Sequence, residues 1–302
     1  MEVTRSGVLV VDKPAGPTSF DVVARVKRLL RATKAGHTGT LDPLATGVLG
    51  VCVEEAVKLQ QFLVDGDKAY LATVAFGVAT TTEDAEGDII ARADASALEP
   101  AAIRGALPSL VGEIEQVPPM FSAVRVGGRR LHEAARAGTE VERSPRRVRV
   151  HSLELLETAA PVGGVVEARL VVRCGKGTYV RTLATMLGAA LGLPAHLSAL
   201  RRTEAGPFRL EEAVTLEEAE RLAAGGPAGL EGRLIPMEDA LRAWPALRLS
   251  SSEARDVRHG RALASSAPSG RCRALDPEGR LLALCEVRAG VLRPIRVFPV
   301  IH

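Results

Sequence analysis

In the segment GHTGTLDPLATGVL, residues 36–49, one aspartate stands among apolar neighbours and glycines. A carboxylate so placed could serve as a nucleophile, because Pro43 disfavours the helical region for Asp42 while Gly39 and Gly47 let the chain close around it. It must then stay ionised. Burial favours the neutral acid, so a neighbouring cation has to oppose it. Arg181, at the end of KGTYVR (176–181), is the candidate, set in the first turn of a helix after a glycine turn; Lys13 is the other. On residue types alone, Asp42-Pro43 stays open between a nucleophile and an Asx-type turn. Tyr70 and Tyr179, the two tyrosines, and His37 fit either a site or ordinary structural roles.

Several chemistries lack their machinery. There is no GxxxxGK[ST], no GxGxxG after a strand, no HExxH and no GxSxG, so nucleotide hydrolysis, dinucleotide redox, zinc peptidase and esterase functions are not expected. No cofactor is expected. Cys52, Cys174, Cys272 and Cys285 form no CxxC pair and read as four buried thiols, with no metal site.

The elements that must carry these residues follow from periodicity. Val8 to Val11 reads as a strand ending at Lys13-Pro14. Ser19 suits an N-cap for a helix with Phe20, Val22, Val23, Val26, Leu29 and Leu30 on its apolar face. Val48 to Val53 and Ala69 to Phe76 read as strands, the second putting Tyr70 and Phe76 on one face and leading into a turn over Thr80 to Asp88. Phe121 to Val126 suggests a strand, then a Gly127-Gly128 turn and an arginine-rich helix to Gly138. Val148 to Leu156 and Val165 to Cys174 follow as strands, with a helix Tyr179 to Leu191 and a strand Leu197 to Arg202. Thr215 and Glu218 make a capping box for another helix, and Gly225 to Gly232 reads as a mobile connection. After Trp244-Pro245 the pattern changes to a helix near Ser252 to Arg258 and short strands at Leu247, Cys272, Leu281 and Leu292.

The formal charge of +3 hides a split. Arg125 to Arg149 carries eight arginines against three glutamates, and Ala240 to His302 eleven arginines against five acids, so the remainder is net negative. Two basic surfaces imply a polyanion, most simply nucleic acid. Only nine residues are aromatic, too few for a surface that stacks a run of single-stranded bases. Recognition of a folded RNA fits better. No stretch approaches eighteen apolar residues, and Glu2 and Asp12 argue against a leader, so a cytoplasmic protein away from membranes is expected.

The ordered motifs VDKPAGPTSFDVV (11–23), GHTGTLDPLATGVL (36–49), DKAY (67–70), TTTEDAEGD (80–88), QVPPMFSAVRVGGRRLHEAARAG (116–138), CGKGTYVRTLA (174–184) and LSALRRTEAGPF (197–208) resemble the TruB-type tRNA pseudouridine synthases. The resemblance implies an α+β pseudouridine synthase fold, with a mixed, mainly antiparallel central sheet flanked by helices. It implies a catalytic domain over 1–240 with an RNA-clamping insertion at about 120–147, and a PUA-like module over 245–302. It further implies isomerisation of uridine 55 in the tRNA T-stem-loop by a monomer that needs no guide. Asp42 would be the catalytic carboxylate, Arg181 its partner and Tyr70 the residue against the base; His37 would serve the flipped-out arrangement, and Lys13, Tyr179 and Leu200 would belong to the pocket. Thr81 and His132 depart from the pattern, standing where an acid and a tyrosine are usual. The rivals are a guide-RNA-dependent pseudouridine synthase subunit and a non-catalytic RNA-folding protein.

Overall fold

The computed structural model describes residues 5–120, 125–126, 129–130 and 142–299. The arginine-rich helix, His132 and most of the clamping insertion lie outside these. The central sheet is built from β1 (Gly7–Lys13), β2 (Ala35–His37), β3 (Thr46–Val53), β4 (Lys68–Phe76), β5 (Gly112–Gln116), β6 (Arg146–Thr158), β7 (Val166–Cys174), β8 (Ala195–Ala205) and β9 (Val214–Thr215). Its order is β9-β1-β3-β8-β4-β7-β6-β5, with β2 beside β3 and Phe208–Arg209 beside β8. Only the β1–β9 and β3–β8 pairings are parallel, so the sheet is mixed and mainly antiparallel. Strands β4 and β8 pair through the middle of the sheet, Tyr70 facing Arg202 and Ala72 facing Leu200.

Strand alternation splits the core in two. Leu9, Val11, Leu49 and Val51 face one side, where α1 (Ser19–Leu29) contributes Val22, Val23 and Val26, and α2 (Val180–Ala190) contributes Leu183 and Leu187. Val8, Val10 and Val48 face the other, against Leu59, Met237 and Leu241. Burial on both faces explains why β1 is a continuous apolar run rather than an alternating one.

The C-terminal residues form a five-stranded sheet, ordered Ala246–Arg248, Gly270–Leu275, Leu281–Arg288, Val291–Val297, Leu263–Ala264, with a helix over Ser251–Arg258. It has its own core around Val257, Ala274 and Val287. Leu281, Leu284 and Phe298 also join the second face of the central sheet. The C-terminal sheet is therefore docked, not tethered. All four cysteines are buried free thiols.

Three local expectations are corrected. The helix α1 is capped by Thr18, not Ser19: the Thr18 hydroxyl accepts from Asp21 N–H, and the Asp21 carboxylate accepts from Thr18 N–H. This frees Ser19 for another task. Phe20 leaves the apolar face and is 74% exposed, because it sits about 100° around the helix from the centre of the Val22, Val23, Val26, Leu30 stripe. The connection 225–232 holds a short helix, Ala228–Glu231, whose Leu230 is fully buried.

Candidate active site

Residues from segments far apart in the chain meet around a cavity of about 1000 Å³. Its wall includes His37, Asp42, Tyr70, Tyr179, Arg181 and Leu200. Lys13 is the exception. It is fully buried beneath the wall, and its ammonium donates to the carbonyls of Pro14, Pro17 and Pro43 at 2.8, 2.8 and 3.1 Å. Burial lowers its pKa to about 8, with Asp42 pulling the other way.

The loop bearing Asp42 is bolted on all sides. The Ser19 hydroxyl donates to Leu41 O at 2.9 Å and accepts from Leu41 N–H at 2.8 Å; Gly16 N–H donates to Pro43 O at 2.9 Å. From beneath, Arg202, only 2% exposed, donates through Nε to Val48 O at 2.7 Å, and through its two terminal nitrogens to Thr40 O and Gly39 O at 3.1 Å each. Gly47 is required here, since a Cβ at its φ of +101° would lie 2.1 Å from Arg202 O. Sequence reasoning does not single out Arg202. The available signal is its register: two residues from Leu200 on one strand, it must face the same side.

Asp42 and Arg181 form an ion pair, Oδ2 to Nε 3.0 Å. Arg181 is 4% exposed and also reaches Asp84 Oδ2 at 3.3 Å and Thr82 O at 3.0 Å. Asp84, 3% exposed, accepts from the Thr82 hydroxyl and from Glu86 N–H at 3.1 Å. The turn that aims it inward carries Glu83 at a φ of +65°, tied by its carboxylate to the Thr182 hydroxyl at 2.8 Å. Thr81 keeps to the outside of this turn, accepting from Asp88 N–H at 3.1 Å, so Asp84 is the turn's carboxylate on Arg181. Burial raises the Asp42 pKa above its ordinary value; Arg181 is the main force against this, and Asp84 adds to the rise. The cation thus offsets part of the cost of an anion that retains 38% side-chain exposure toward the cavity.

Asp84 and Glu86 share the lining with this pair, and burial raises the Glu86 pKa, with Asp84 and Asp42 adding to the rise; neutral and cationic groups complete it. Burial pushes the Tyr70 phenol up, keeping it protonated near neutral pH beside Arg202. His37 is pushed down by burial and by Arg202, and its Nδ1 accepts from Gly39 N–H at 3.3 Å, leaving Nε2 as the protonated nitrogen. Tyr179 is held by Gln116, which accepts from its N–H at 3.0 Å and donates to its carbonyl at 3.2 Å. Lys68 is lowered to about 8 by burial and donates to the carbonyls of Val64 and Gly66 at 2.6 and 2.5 Å. A chamber with the Asp42 and Asp84 carboxylates on Arg181 at its floor, Asp65 and Glu86 also in its lining, and a phenol, a neutral imidazole and an apolar leucine on its walls suits a planar, uncharged heterocycle.

Family models match successive stretches of the chain: a TruB family pseudouridylate synthase N-terminal domain over residues 27–180, a tRNA pseudouridylate synthase B C-terminal domain over 181–242 and a tRNA pseudouridine synthase II C-terminal domain over 244–299. Relatives named tRNA pseudouridine synthase B include that of Geobacillus kaustophilus (strain HTA426), 52% identical over 256 residues, 84% of this chain and 89% of that one. Another is from Pseudomonas aeruginosa (strain UCBPP-PA14), 48% identical over 285 residues, 93% and 92% of the two chains. A solved archaeal box H/ACA sRNP Nop10-Cbf5 complex shares the fold with a TM-score of 0.72 at 27% identity, covering 98% of this chain and 87% of that one.

Proposed function

The chain belongs to the TruB family of pseudouridylate synthases, and we propose that it isomerises uridine 55 in the T-stem-loop of tRNA to pseudouridine, with Asp42 as the attacking carboxylate. Transfer RNA as substrate is supported by relatives named tRNA pseudouridine synthase B at 52% and 48% identity. These outweigh the 27% identity to the Nop10-Cbf5 complex, so a guide-RNA-dependent subunit is not favoured. The observation that carries the mechanism is the Asp42–Arg181 pair at 3.0 Å on the cavity floor.

The reaction breaks the C1′–N1 bond, turns the uracil and joins its C5 to C1′; C5 loses a proton and N1 gains one, so nothing leaves the RNA. Both electrophilic carbons, C1′ and C6, can accept a carboxylate, and either route needs Asp42 ionised. Arg181 favours that condition by offsetting part of the cost of burial. A uridine in a folded loop must be extruded to reach such a floor. Tyr70 then offers its ring to the uracil face and its phenol as a proton carrier for C5, directly or through water. His37, as a neutral donor at the cavity wall, supports the flipped-out strand. Tyr179 and Leu200 shape the walls, and Lys13 fixes the floor by holding Pro43. The arginine-rich segments at 125–149 and in the C-terminal module over 245–302 grip phosphates. The protein acts as a cytoplasmic monomer.

Incubating an unmodified T-loop hairpin with the pure protein and mapping pseudouridine tests this reading. One modified position, uridine 55, formed without a guide RNA is the expected result; conversion only after a guide RNA is supplied would overturn it.

A further inference from the structure

Phe20 is the one described aromatic side chain that is exposed, at 74%, while Phe76, Phe208 and Phe298 are buried. It opens onto the same cavity as Asp42, beside Thr18 and Pro43. An isolated exposed apolar side chain is ordinary on a protein surface. An exposed ring at the mouth of a reactive cavity, in a chain so poor in aromatics, is a different matter. Its position relative to the carboxylate is also fixed. Ser19, its neighbour, exchanges two hydrogen bonds with Leu41, and Lys13 joins the carbonyls of Pro17 and Pro43. Helix α1 and the Asp42 loop are thereby one rigid piece, with the ring on the rim and the anion on the floor. The cavity, at about 1000 Å³, is roomier than one uracil with its ribose requires, which leaves space at its mouth for a neighbouring nucleotide.

We propose that Phe20 is a stacking platform for the unpaired nucleobase adjacent to the target uridine, holding the strand in the cavity mouth while the target reaches Asp42. This rests on the RNA-modifying reading above. A phenyl face accepts any base, so the stack sets affinity and strand path rather than sequence. Lys176, exposed on the same rim and paired with Asp65 at 2.8 Å, can exchange that carboxylate for the phosphate of the stacked nucleotide.

The test pairs Phe20→Ala and Phe20→Trp with hairpins that are intact or carry an abasic nucleotide 5′ or 3′ of the target. On the intact hairpin Phe20→Ala should raise KM about tenfold with kcat changed less than about twofold, and Phe20→Trp should restore KM. Removing the stacked base should raise KM for the parent chain by a similar factor and erase its advantage over Phe20→Ala. Because Phe20 is exposed, all variants should melt with the parent. A parent-like KM for Phe20→Ala, or independent multiplication of the two effects at both neighbouring nucleotides, would overturn the proposal. Conversion of the intact hairpin by the parent chain upholds the catalytic reading whichever way Phe20 falls.

Discussion

The cavity floor and the C-terminal sheet treat charge in opposite ways. At the cavity floor, Arg181, Arg202 and Asp84 in the lining and Lys13 just beneath it are all 4% exposed or less. Among the described residues of the C-terminal module, Asp276 alone is a buried charged group, with Arg280 against it at 3.0 Å, while Arg288, Arg293 and Arg296 stay in water. A buried charge is costly unless each donor and acceptor is matched. At the floor the matching is done by loop carbonyls and carboxylates, so the charges dictate where the Asp42 loop runs. In the module the apolar core sets the fold, and the arginines are left in solvent, where they contribute a long-range positive field.

Removing one cation at a time puts this difference to the test. Arg181→Met leaves Asp42 and Asp84 without the guanidinium between them. Denaturant melts should show a destabilisation of about 3–5 kcal/mol, and uridine conversion should fall at least about a hundredfold. Arg202→Met strips donors from the Gly39, Thr40 and Val48 carbonyls and should cost about 2–3 kcal/mol, with conversion reduced through a displaced loop. If its melting equals that of the parent, the floor is not held by its charges.

The pH dependence is a finer probe. The proposed mechanism requires the Asp42 carboxylate, and burial raises its pKa above the ordinary 3.8. The acid limb of the conversion rate should therefore lie above pH 3.8. Lys13→Met, by removing a cation that favours the anion, should move it higher still. A limb that moves down in that variant would contradict the assignment. The smallest structural effect is expected in the module. Replacing Arg293 and Arg296 with Gln should leave the melting temperature unchanged and make the salt dependence of tRNA binding shallower, by about 0.7–0.9 in log–log slope for each phosphate no longer neutralised. A destabilisation matching that of Arg202→Met would erase the distinction between the two regions.

Apolar periodicity makes most strands legible, since β1, β3, β4 and β7 are apolar runs or alternations that need no tertiary information to recognise. The Asp42 loop is legible only in part: residue types leave Asp42-Pro43 open between a nucleophile and an Asx-type turn, and it is the resemblance of the ordered motifs that singles it out. What stays hidden depends on partners distant in sequence. Arg202 faces inward because carbonyls 154 to 163 residues away await it. Ser19 gives up the cap position to bond Leu41, a choice local propensity does not encode. Phe20 departs from expectation because apolarity is not burial, and its helical angle sets it apart from the valine stripe.

The most direct measurement is single-turnover conversion of saturating T-loop RNA by Asp42→Asn, with binding of the same RNA measured in parallel. Affinity should stay within about twofold of the parent, and no pseudouridine should form. Pseudouridine appearing at a rate close to the parent's would remove Asp42 from the chemistry and leave the buried guanidinium beside it without a catalytic purpose.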